Sequence, residues 1–473
     1  MEVELESPRF TSMLSTSSEA ETPGIRHVPW RDRGPLGMLA PIVFDICRLR
    51  RRQWYTAEAL RASIDKKLLT LLSEAYAHVR YYRELFDNAH VTPNDLKGAE
   101  DLDALPITEK NTFQTRALKD MTDTTADLER CKTLLTSGST GRPLTIYVNR
   151  REDYRMDAVW AFAFLENGQK LWDRWADFHS FTAAYDARWF EKFGVWRTVH
   201  ITALSDPSEQ VSILQQIRPD VIKINPDNLP RLISVIQRKG IRDIKPRLVF
   251  TMGGLLDKQV RVLTEETLGA EVFDVYGSAE LGCIAWECSM HKGYHINTDS
   301  VVLEIVDTNG RKARSGERGR IVCTGLIAST MPFIRYCIGD VGVLDDRLCP
   351  CGRGLPMLSS LEGRADDFFI LRDGTEIAPT IILNYLKQIP GIQQFKITQQ
   401  DETQVDADIV PDEKCTAKTI ETIHDTLERI THDTATIKIS IVDELPQDPS
   451  RKIRSVISKV ERPGYLNYKQ NPE

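Results

Sequence analysis

The 473-residue sequence lacks a long uninterrupted hydrophobic run. Its most apolar stretch, "GPLGMLAPIVFDIC", contains Pro41 and Asp45 and is too short to span a bilayer. The N-terminal residues also lack the basic start and apolar core of a secretory signal, since they are acidic and rich in Ser and Thr. We therefore expect a cytoplasmic protein with no membrane partner, whose residues 1–30 are poorly ordered.

The sequence has no excess of positive charge, and its cysteines do not suggest disulfides. Its 61 Lys and Arg residues and 68 Asp and Glu residues give a net charge of −7 and are intermixed along the chain. No basic face or arm indicates nucleic acid, so we expect no nucleic-acid partner. Nine cysteines are an odd number for a large cytoplasmic chain, which makes clustered cysteines candidates for metal or reactive sites.

Strand and helix patterns alternate from about Asp220 onwards. The segments "DVIKI", "RLVFTMGG" and "EVFDVYG" are typical of buried strands, and amphipathic helical patterns separate them. This alternation predicts an α/β fold with a parallel sheet and crossover helices, followed from about Val301 by antiparallel β structure. We expect a large domain over residues 31–365 and a small α/β domain over residues 366–473.

The segment "TSGSTGRP" combines hydroxyls and glycines between two apolar runs. A phosphate loop needs glycines at tight bends so that several backbone N–H groups converge on one anion. The same composition also suits a β-hairpin turn, and the segment alone leaves both readings open. It is not a Walker A loop, because the glycine spacing and the following residues differ, and no G-x-S-x-G segment indicates a hydrolase.

Five further segments follow this loop in order: "DVYGSAELG", "GERGRIVCTG", "IRYCIGD", "GRADDFFILRDG" and "PSRKIRSVI". Together with the loop they resemble the adenylate-forming superfamily of acyl- and aryl-CoA ligases. The tract around "LPITEK" and the segments "ECSMHKGYHIN" and "CPCGRGLP" are similar to its phenylacetate–CoA ligase branch. The resemblance covers the chain from about Trp54 onwards.

This resemblance implies an ATP site and the residues that form it. The phosphate loop would hold the outer phosphates, a glycine pair would lie beside the adenine, Tyr276 would flank the base, and Ser278 would approach the α-phosphate. Asp340 would bind both ribose hydroxyls. The implied ATP-binding residues are Thr136, Ser137, Gly138, Ser139, Thr140, Gly141, Arg142, Gly253, Gly254, Tyr276, Gly277, Ser278, Asp340 and Arg364.

The resemblance also implies the catalytic residues. Glu280 would hold Mg²⁺, Arg364 would lie near the ribose and phosphate, Asp366 would be the hinge, and Lys452 would bridge the carboxylate and the α-phosphate. Two residues depart from the pattern of the family. Arg142 stands where relatives usually have Lys, and Arg451 replaces the glycine that usually precedes the catalytic lysine, so Arg451 is an alternative catalytic cation.

Four residues suggest a metal site. Cys288 and His291 are spaced as C-x2-H, and Cys349 and Cys351 follow as C-x-C. Zinc accepts mixed Cys and His ligands, and four protein ligands indicate a structural role. Cysteine pairs of α/β enzymes are also common as small core residues, but branch members that share the arrangement favour a structural Zn²⁺.

The implied activity is ATP-dependent activation of a carboxylic acid, with pyrophosphate release and transfer of the acyl group to a nucleophile. CoA is the favoured acceptor, and a carrier-protein thiol and an amine are alternative acceptors. A catalytically inactive nucleotide-binding homologue is an alternative to the enzyme. The aromatic residues of the segment "HSFTAAYDARWF", together with Phe178 before it, favour an aromatic acid as the substrate. Its candidate pocket residues, which fit a core equally well, are Phe178, His179, Phe181 and Tyr185. A homodimer also stays open.

Overall fold

The fold is described by a computed structural model of the chain. The structure describes residues 36–136, 144–179, 194–203, 205–307, 309–386, 388–445 and 455–460. Several predicted site residues lie outside these ranges, together with the N-terminal residues expected to be poorly ordered. They are Ser137, Gly138, Ser139, Thr140, Gly141, Arg142, Phe181, Tyr185, Arg451 and Lys452.

Helices form the first part of the described chain. Helix α1 covers Leu36–Arg52, α2 covers Ala57–His78 and α3 covers Arg80–Asn88. The side chain of Thr56 accepts a hydrogen bond from the N–H of Ala59 and so caps the start of α2. The sequence pattern predicts one helical run here, but the backbone becomes extended at the buried Val79 and divides α2 from α3. Two short helices follow, α4 (Lys110–Thr115) and α5 (Leu118–Met121).

A two-stranded hairpin and a long helix come next. Strands β1 (Lys132–Leu135) and β2 (Thr145–Val148) pair antiparallel, so the glycine-rich loop joins the two strands of a hairpin. Helix α6 (Arg150–Glu166) begins immediately afterwards. Its N-cap Asn149 accepts hydrogen bonds from the N–H groups of Arg151 and Glu152, and the side chain of Glu152 returns a bond to the N–H of Asn149.

The parallel part of the main sheet has the strand order β7-β6-β5-β3-β4. From β4 to β7, helices between successive strands supply the crossovers, and buried Val, Ile and Leu residues account for the apolar strand patterns. The elements are β3 (Trp175–His179), β4 (Thr198–Thr202), α7 (Pro207–Ile217), β5 (Val221–Ile224), α8 (Leu229–Arg238), β6 (Leu248–Thr251), α9 (Lys258–Leu268) and β7 (Glu271–Ser278).

Antiparallel strands extend the same sheet beyond β7. The order of the described strands is β10-β11-β12-β13-β9-β8-β7, so the parallel and antiparallel parts predicted from the sequence form one continuous sheet. Strand β7 belongs to both parts, which places its C-terminal residues at the junction. The added strands are β8 (Gly282–Glu287), β9 (Tyr294–Ile296), β10 (Val301–Val306), β11 (Arg318–Gly325), β12 (Tyr336–Asp345) and β13 (Met357–Arg364).

The C-terminal residues form a separate α/β unit with its own hydrophobic core. A four-stranded sheet has the order β18-β17-β16-β19, and β14 pairs with β15. No helix among the described residues is long and apolar enough to cross a membrane. The elements are β14 (Phe369–Ile370), β15 (Glu376–Ile377), α10 (Pro379–Leu386), β16 (Ile392–Asp401), β17 (Gln404–Pro411), α11 (Ala417–Ile430), β18 (Thr436–Ile441) and β19 (Val456–Ser458).

Candidate active site

A tyrosine, an aspartate and an arginine from three strands meet at the junction of the sheet. The hydroxyl of Tyr276 on β7 donates a hydrogen bond of 2.7 Å to Oδ2 of Asp340 on β12. The guanidinium of Arg364, at the end of β13, lies 3.8 Å from Oδ1 of the same carboxylate. Strand register explains this meeting, because Asp340 and Arg364 are direct partners in the β12–β13 ladder. The structure therefore brings together three residues that the sequence assigns to one nucleotide site.

The electrostatics of this group keep Tyr276 protonated. Burial, and then the negative charge of Asp340, raise the pKa of Tyr276 well above its usual value. Arg364 is fixed by a second contact, since its Nη1 donates a 3.0 Å hydrogen bond to the carbonyl of Ile338. A carboxylate held in this way has acceptor capacity left for ligand hydroxyls, because a charged carboxylate accepts several hydrogen bonds.

The candidate magnesium ligand also contacts β12. Glu280 is 7% exposed and lies in the turn that joins β7 to β8. Its Oε1 accepts a 3.1 Å hydrogen bond from the hydroxyl of Tyr336, four residues before Asp340 on the same strand. Ser278 shapes the turn, because its Oγ accepts a 3.2 Å hydrogen bond from the N–H of Leu281. Glu280 therefore shares one supporting strand with the candidate ribose ligand.

One of the predicted glycine positions is sterically required, and a second is crowded by a side chain. A Cβ at Gly277 would lie 2.5 Å from the carbonyl oxygen of Gly282 and 2.7 Å from the ring of Trp160 on α6. A Cβ at Gly254 would lie 2.9 Å from Oδ1 of Asn225, which follows β5. The neighbouring Gly253 has a φ of 79°, a conformation that favours glycine. Because these residues have no side chain, the backbone can pack closely next to the ends of β5, β6 and β7.

Thr136 closes the base of the glycine-rich loop. Its N–H donates a 3.0 Å hydrogen bond to the carbonyl of Leu144, and its Oγ1 accepts a 2.8 Å bond from the N–H of Leu144. These paired bonds hold the two ends of the loop together at the end of the β1–β2 hairpin. The other predicted loop residues lie outside the described residues, as do Lys452 and its alternative Arg451. Asp366 lies in a single 3₁₀ turn, Ala365–Asp367, directly after β13.

The structure revises one residue of the predicted acid pocket. Phe178 is 6% exposed and packs in the hydrophobic core with residues such as Ile201 and Ile222. Side chains alternate along a strand, so the next residue, His179, points to the opposite face. The ring of His179 lies there with its centroid 5.4 Å from that of His200. Of these two residues, only His179 remains a candidate for the pocket, since Phe178 fills the core.

A cluster of three cysteines and one histidine lies on the other side of β8. The residues are Cys288, His295, Cys349 and Cys351, and their ligand atoms all lie within 4.8 Å of one another. The sulfurs of Cys288 and Cys349 are 3.7 Å apart, and the sulfur of Cys351 is 3.3 Å from Nε2 of His295. Burial lowers the pKa of His295 to about 4, so its ring is neutral. The structure thus brings together three of the four predicted metal ligands.

His291 is not part of this cluster, so the predicted ligand set was wrong at that position. Its Nδ1 lies 3.1 Å from Nη1 of Arg261 and 3.6 Å from Glu287, and its φ is 47°. The turn after Cys288 directs His291 toward this charged pair, whereas β9 places His295 beside the cysteines. The sequence does contain a signal for His295 as a ligand. The segment "GYHIN" is typical of a short strand, which would lie beside the preceding strand.

The chain is similar to known proteins in sequence and in fold. Residues 369–459 match the family model of the CapK C-terminal domain. The phenylacetate–coenzyme A ligase of Thermus thermophilus is 28% identical over 347 residues, which cover 71% of this chain and 77% of the relative. The crystal structure of 2-hydroxyisobutyryl-CoA ligase in the postadenylation state superposes with a TM-score of 0.74 at 21% identity, covering 87% of this chain and 92% of that one. In its thioesterification state the same ligase gives a TM-score of 0.59 at 22% identity, with the same coverage.

The chain therefore shares the fold of 2-hydroxyisobutyryl-CoA ligase. Over most of its length its sequence is similar to phenylacetate–coenzyme A ligases.

Proposed function

We propose that this protein is an AMP-forming acid–CoA ligase. In the first step, an oxygen of the substrate carboxylate attacks the α-phosphorus of ATP, and pyrophosphate leaves. In the second step, the sulfur of CoA attacks the carbonyl carbon of the acyl-adenylate, and AMP leaves as the thioester forms. The observation that carries the proposal is the meeting of Tyr276, Asp340 and Arg364, from three separate sequence segments, in a chain similar to phenylacetate–coenzyme A ligase.

Asp340 would bind the ribose of ATP through both hydroxyls. Its carboxylate is 19% exposed, so it is open to a ligand while Tyr276 and Arg364 hold it in place. The Tyr276 ring and the backbone at Gly253 and Gly254 would then border the adenine. Thr136, with the loop residues from Ser137 to Arg142, would hold the outer phosphates, since glycines and hydroxyls at such a bend suit an anion.

The proposed chemistry requires positive charge at the phosphates. Mg²⁺ prefers carboxylate and phosphate oxygens, and Glu280 offers a buried carboxylate oxygen beside the hydroxyl of Tyr336. When bound, the ion would offset the charge that develops on the phosphate oxygens. Lys452 would contribute a second cation between the carboxylate and the α-phosphate. Arg364 would assist near the ribose and phosphate.

The small C-terminal unit would move between the two steps. The chain superposes better on 2-hydroxyisobutyryl-CoA ligase in its postadenylation state than in its thioesterification state, with TM-scores of 0.74 and 0.59. We assign the described arrangement to the adenylation side of the cycle on this basis. Asp366, in the single turn between β13 and β14, is the proposed hinge. Rotation there would withdraw Lys452 and open the adenylate to CoA.

We propose a structural zinc ion at Cys288, His295, Cys349 and Cys351. A tetrahedral site with Zn–S bonds of about 2.3 Å has sulfurs about 3.8 Å apart. The 3.7 Å separation of Cys288 and Cys349 fits this geometry. Four protein ligands would leave no open position for chemistry. The ion would join the loop after β8 to the loop before β13, and so brace the two strands that carry Glu280 and Arg364.

The acid-dependent exchange of labelled pyrophosphate into ATP tests the first step. We expect exchange with at least one acid in a panel of aryl, arylacetic and short aliphatic acids, and we place aromatic acids first because a relative is a phenylacetate–coenzyme A ligase. Lys452→Ala should abolish exchange, whereas Arg451→Ala should retain it. No exchange with any acid, in a protein that still binds ATP, would overturn the proposal in favour of an inactive nucleotide-binding homologue.

The acceptor is tested by adding nucleophiles to the same reaction. CoA should give an acyl-CoA and one AMP per thioester. If a carrier-protein thiol or an amine is acylated while CoA is not, the second step is wrong and the first stands. A cytoplasmic location is part of the proposal, because none of the nine cysteines is in a disulfide and ATP and CoA are the proposed co-substrates.

A further inference from the structure

A cavity of about 570 Å³ lies away from the residues of the candidate active site. Helix α2, the first turn of α6 and the segment after β11 form its walls. The basic residues that line it are Lys66, Lys67, Arg151 and Arg155. Volumes of this size accommodate small molecules.

A second cavity of about 590 Å³ adjoins the first, because both are lined by Arg151 and Arg155. Its other basic lining residues are Arg48 and Arg150, and Phe44 and Tyr154 give it an aromatic wall. Phe44 on α1 is 68% exposed, so its ring is accessible. The two cavities therefore meet at Arg151 and Arg155, and we call the pair the basic groove, with a polar half and an aromatic half.

Positive charge in the basic groove is only partly balanced. Among the described residues, its lining contains six basic and three acidic side chains, although the whole chain has a net charge of −7. One of the three carboxylates, Glu152, already accepts hydrogen bonds from the backbone of Asn149, Ser329 and Thr330. The other two are Asp45 and Glu74. The N-terminal end of α6 adds its partial positive charge to the polar half.

Three of the basic side chains have no neutralising partner in the described structure. The side chains of Lys66, Arg151 and Arg155 form no hydrogen bond or ion pair with a described residue. Arg48, by contrast, pairs with Asp45 at 2.8 Å, and Nε of Arg150 donates a 2.6 Å hydrogen bond to the hydroxyl of Tyr154. Burial, and then repulsion from Arg48, lower the pKa of Arg155, which shows the mutual repulsion of the cluster. An anion in the basic groove would relieve this repulsion.

Lys67, unlike these three residues, is in an ion pair. It shares the carboxylate of Asp299 with Arg52, which lies 3.1 Å from Oδ1. Burial lowers the pKa of Lys67 to about 8. One carboxylate therefore serves two cations at the inner end of the groove, and the balance of charge there stays positive.

We propose that the basic groove binds a small molecule with a phosphate chain. The phosphates would lie against Lys66, Arg151 and Arg155, since these side chains have unused donors. An aromatic base, where the ligand has one, would stack on the exposed ring of Phe44. Two sources share this chemistry, a nucleoside polyphosphate and an inorganic polyphosphate. The cavity volumes of about 570 and 590 Å³ fit a small molecule rather than a macromolecular surface.

This site is distinct from the candidate ATP site. None of the residues that line the basic groove is among the predicted ATP ligands. Strand β2 lies between the two sites along the chain. Asn149, which lines the groove, follows the last residue of β2, and the glycine-rich loop comes before its first residue. The four residues of β2 correspond to about 13 Å at the usual rise of a strand. The proposal therefore does not depend on the ligase activity.

Calorimetric titration with inorganic tripolyphosphate tests the proposal. The triple variant Lys66→Gln, Arg151→Gln, Arg155→Gln removes the three unpaired charges. Its matched control, Lys119→Gln, Arg231→Gln, Arg238→Gln, removes the same charge from exposed residues elsewhere. We titrate without nucleotide, because a nucleotide would compete with tripolyphosphate for the basic groove. We expect wild type and control to bind tripolyphosphate in the groove, and the triple variant to lose that equivalent or bind it at least about tenfold more weakly, with a difference that shrinks at high salt. Tripolyphosphate bound at the candidate ATP site would be common to all three proteins.

Repeating the titration with α,β-methylene-ATP alone identifies the source of the phosphate chain. A nucleotide ligand predicts two equivalents bound by wild type and one by the triple variant, and Phe44→Ala should weaken only the second equivalent. An inorganic ligand predicts one equivalent for both proteins, with tripolyphosphate binding unaffected by Phe44→Ala. Equal tripolyphosphate binding by wild type, control and triple variant, or no binding by any of them, would overturn the proposal.

Discussion

Replacing Asp340 by Asn tests the proposed ribose contact with little change in shape. The substitution removes the negative charge and one of the two acceptor oxygens, while the side chain still fits beside Tyr276 and Arg364. In the proposed complex each carboxylate oxygen accepts a ribose hydroxyl. A hydrogen bond to a charged group contributes about 1.5–3 kcal/mol, so losing one such bond should weaken ATP binding about 10- to 150-fold.

The assay is equilibrium binding of ATP together with the KM for ATP in the exchange reaction. We expect Asp340→Asn to raise both values by similar factors, since the ribose does not react. Tyr276→Phe is the companion variant, because it removes the hydroxyl that donates to Asp340 and keeps the ring. We expect a smaller change from it, about 10-fold or less. An Asp340→Asn protein that is folded and binds ATP like wild type would refute the ribose assignment.

Three further predictions follow from other parts of the structure. Cys288→Ser should lose bound zinc in metal analysis, whereas Cys283→Ser, which changes a buried thiol outside the cluster, should keep it. Gly277→Ala should destabilise the fold by about 1–3 kcal/mol in urea unfolding, because its Cβ would lie 2.5 Å from the carbonyl of Gly282. Burial raises the pKa of Asp274 from 3.8 to about 7, so its contribution to stability falls as pH rises from 4 to 7. Relative to wild type, the free energy of unfolding of Asp274→Asn should therefore rise by up to about 4 kcal/mol between pH 4 and pH 7. Unfolding experiments at each pH measure this difference.

Each of these predictions has an outcome that contradicts it. Wild-type protein without zinc, or Cys288→Ser with a full equivalent, would contradict the metal assignment. A Gly277→Ala protein as stable as wild type would show that the turn can relax. A constant difference in stability between Asp274→Asn and wild type across pH 4–7 would show that the carboxyl does not titrate there.

Periodicity predicted the parallel part of the sheet well. Strand and helix alternation between about Asp220 and Gly277 depends on local burial patterns, and the structure has β5, β6 and β7 there with α8 and α9 between them. Periodicity does not report strand pairing, which depends on contacts distant in sequence. The junction at β7, where the parallel sheet continues into the antiparallel strands, was therefore not apparent from the sequence.

Spacing predicted part of the candidate site and failed at one position. The motifs associated Asp340 with Tyr276, and their 2.7 Å contact depends on the geometry of β7 and β12. Local spacing favoured His291 as a ligand because it lies three residues after Cys288. The backbone of β9 instead places His295 beside the cysteines. For Phe178 the sequence left pocket and core open, and the face of β3 on which the residue lies places it in the core.

Transfer of oxygen from the substrate acid to AMP tests the central claim most directly. The measurement uses an acid that supports exchange, labelled with ¹⁸O in its carboxyl group, and mass spectrometry of the AMP formed when CoA is added. Because a carboxylate oxygen would attack the α-phosphorus and stay with it when the thioester forms, the account predicts one ¹⁸O atom in each AMP. Unlabelled AMP, or label in inorganic phosphate together with ADP, would contradict it.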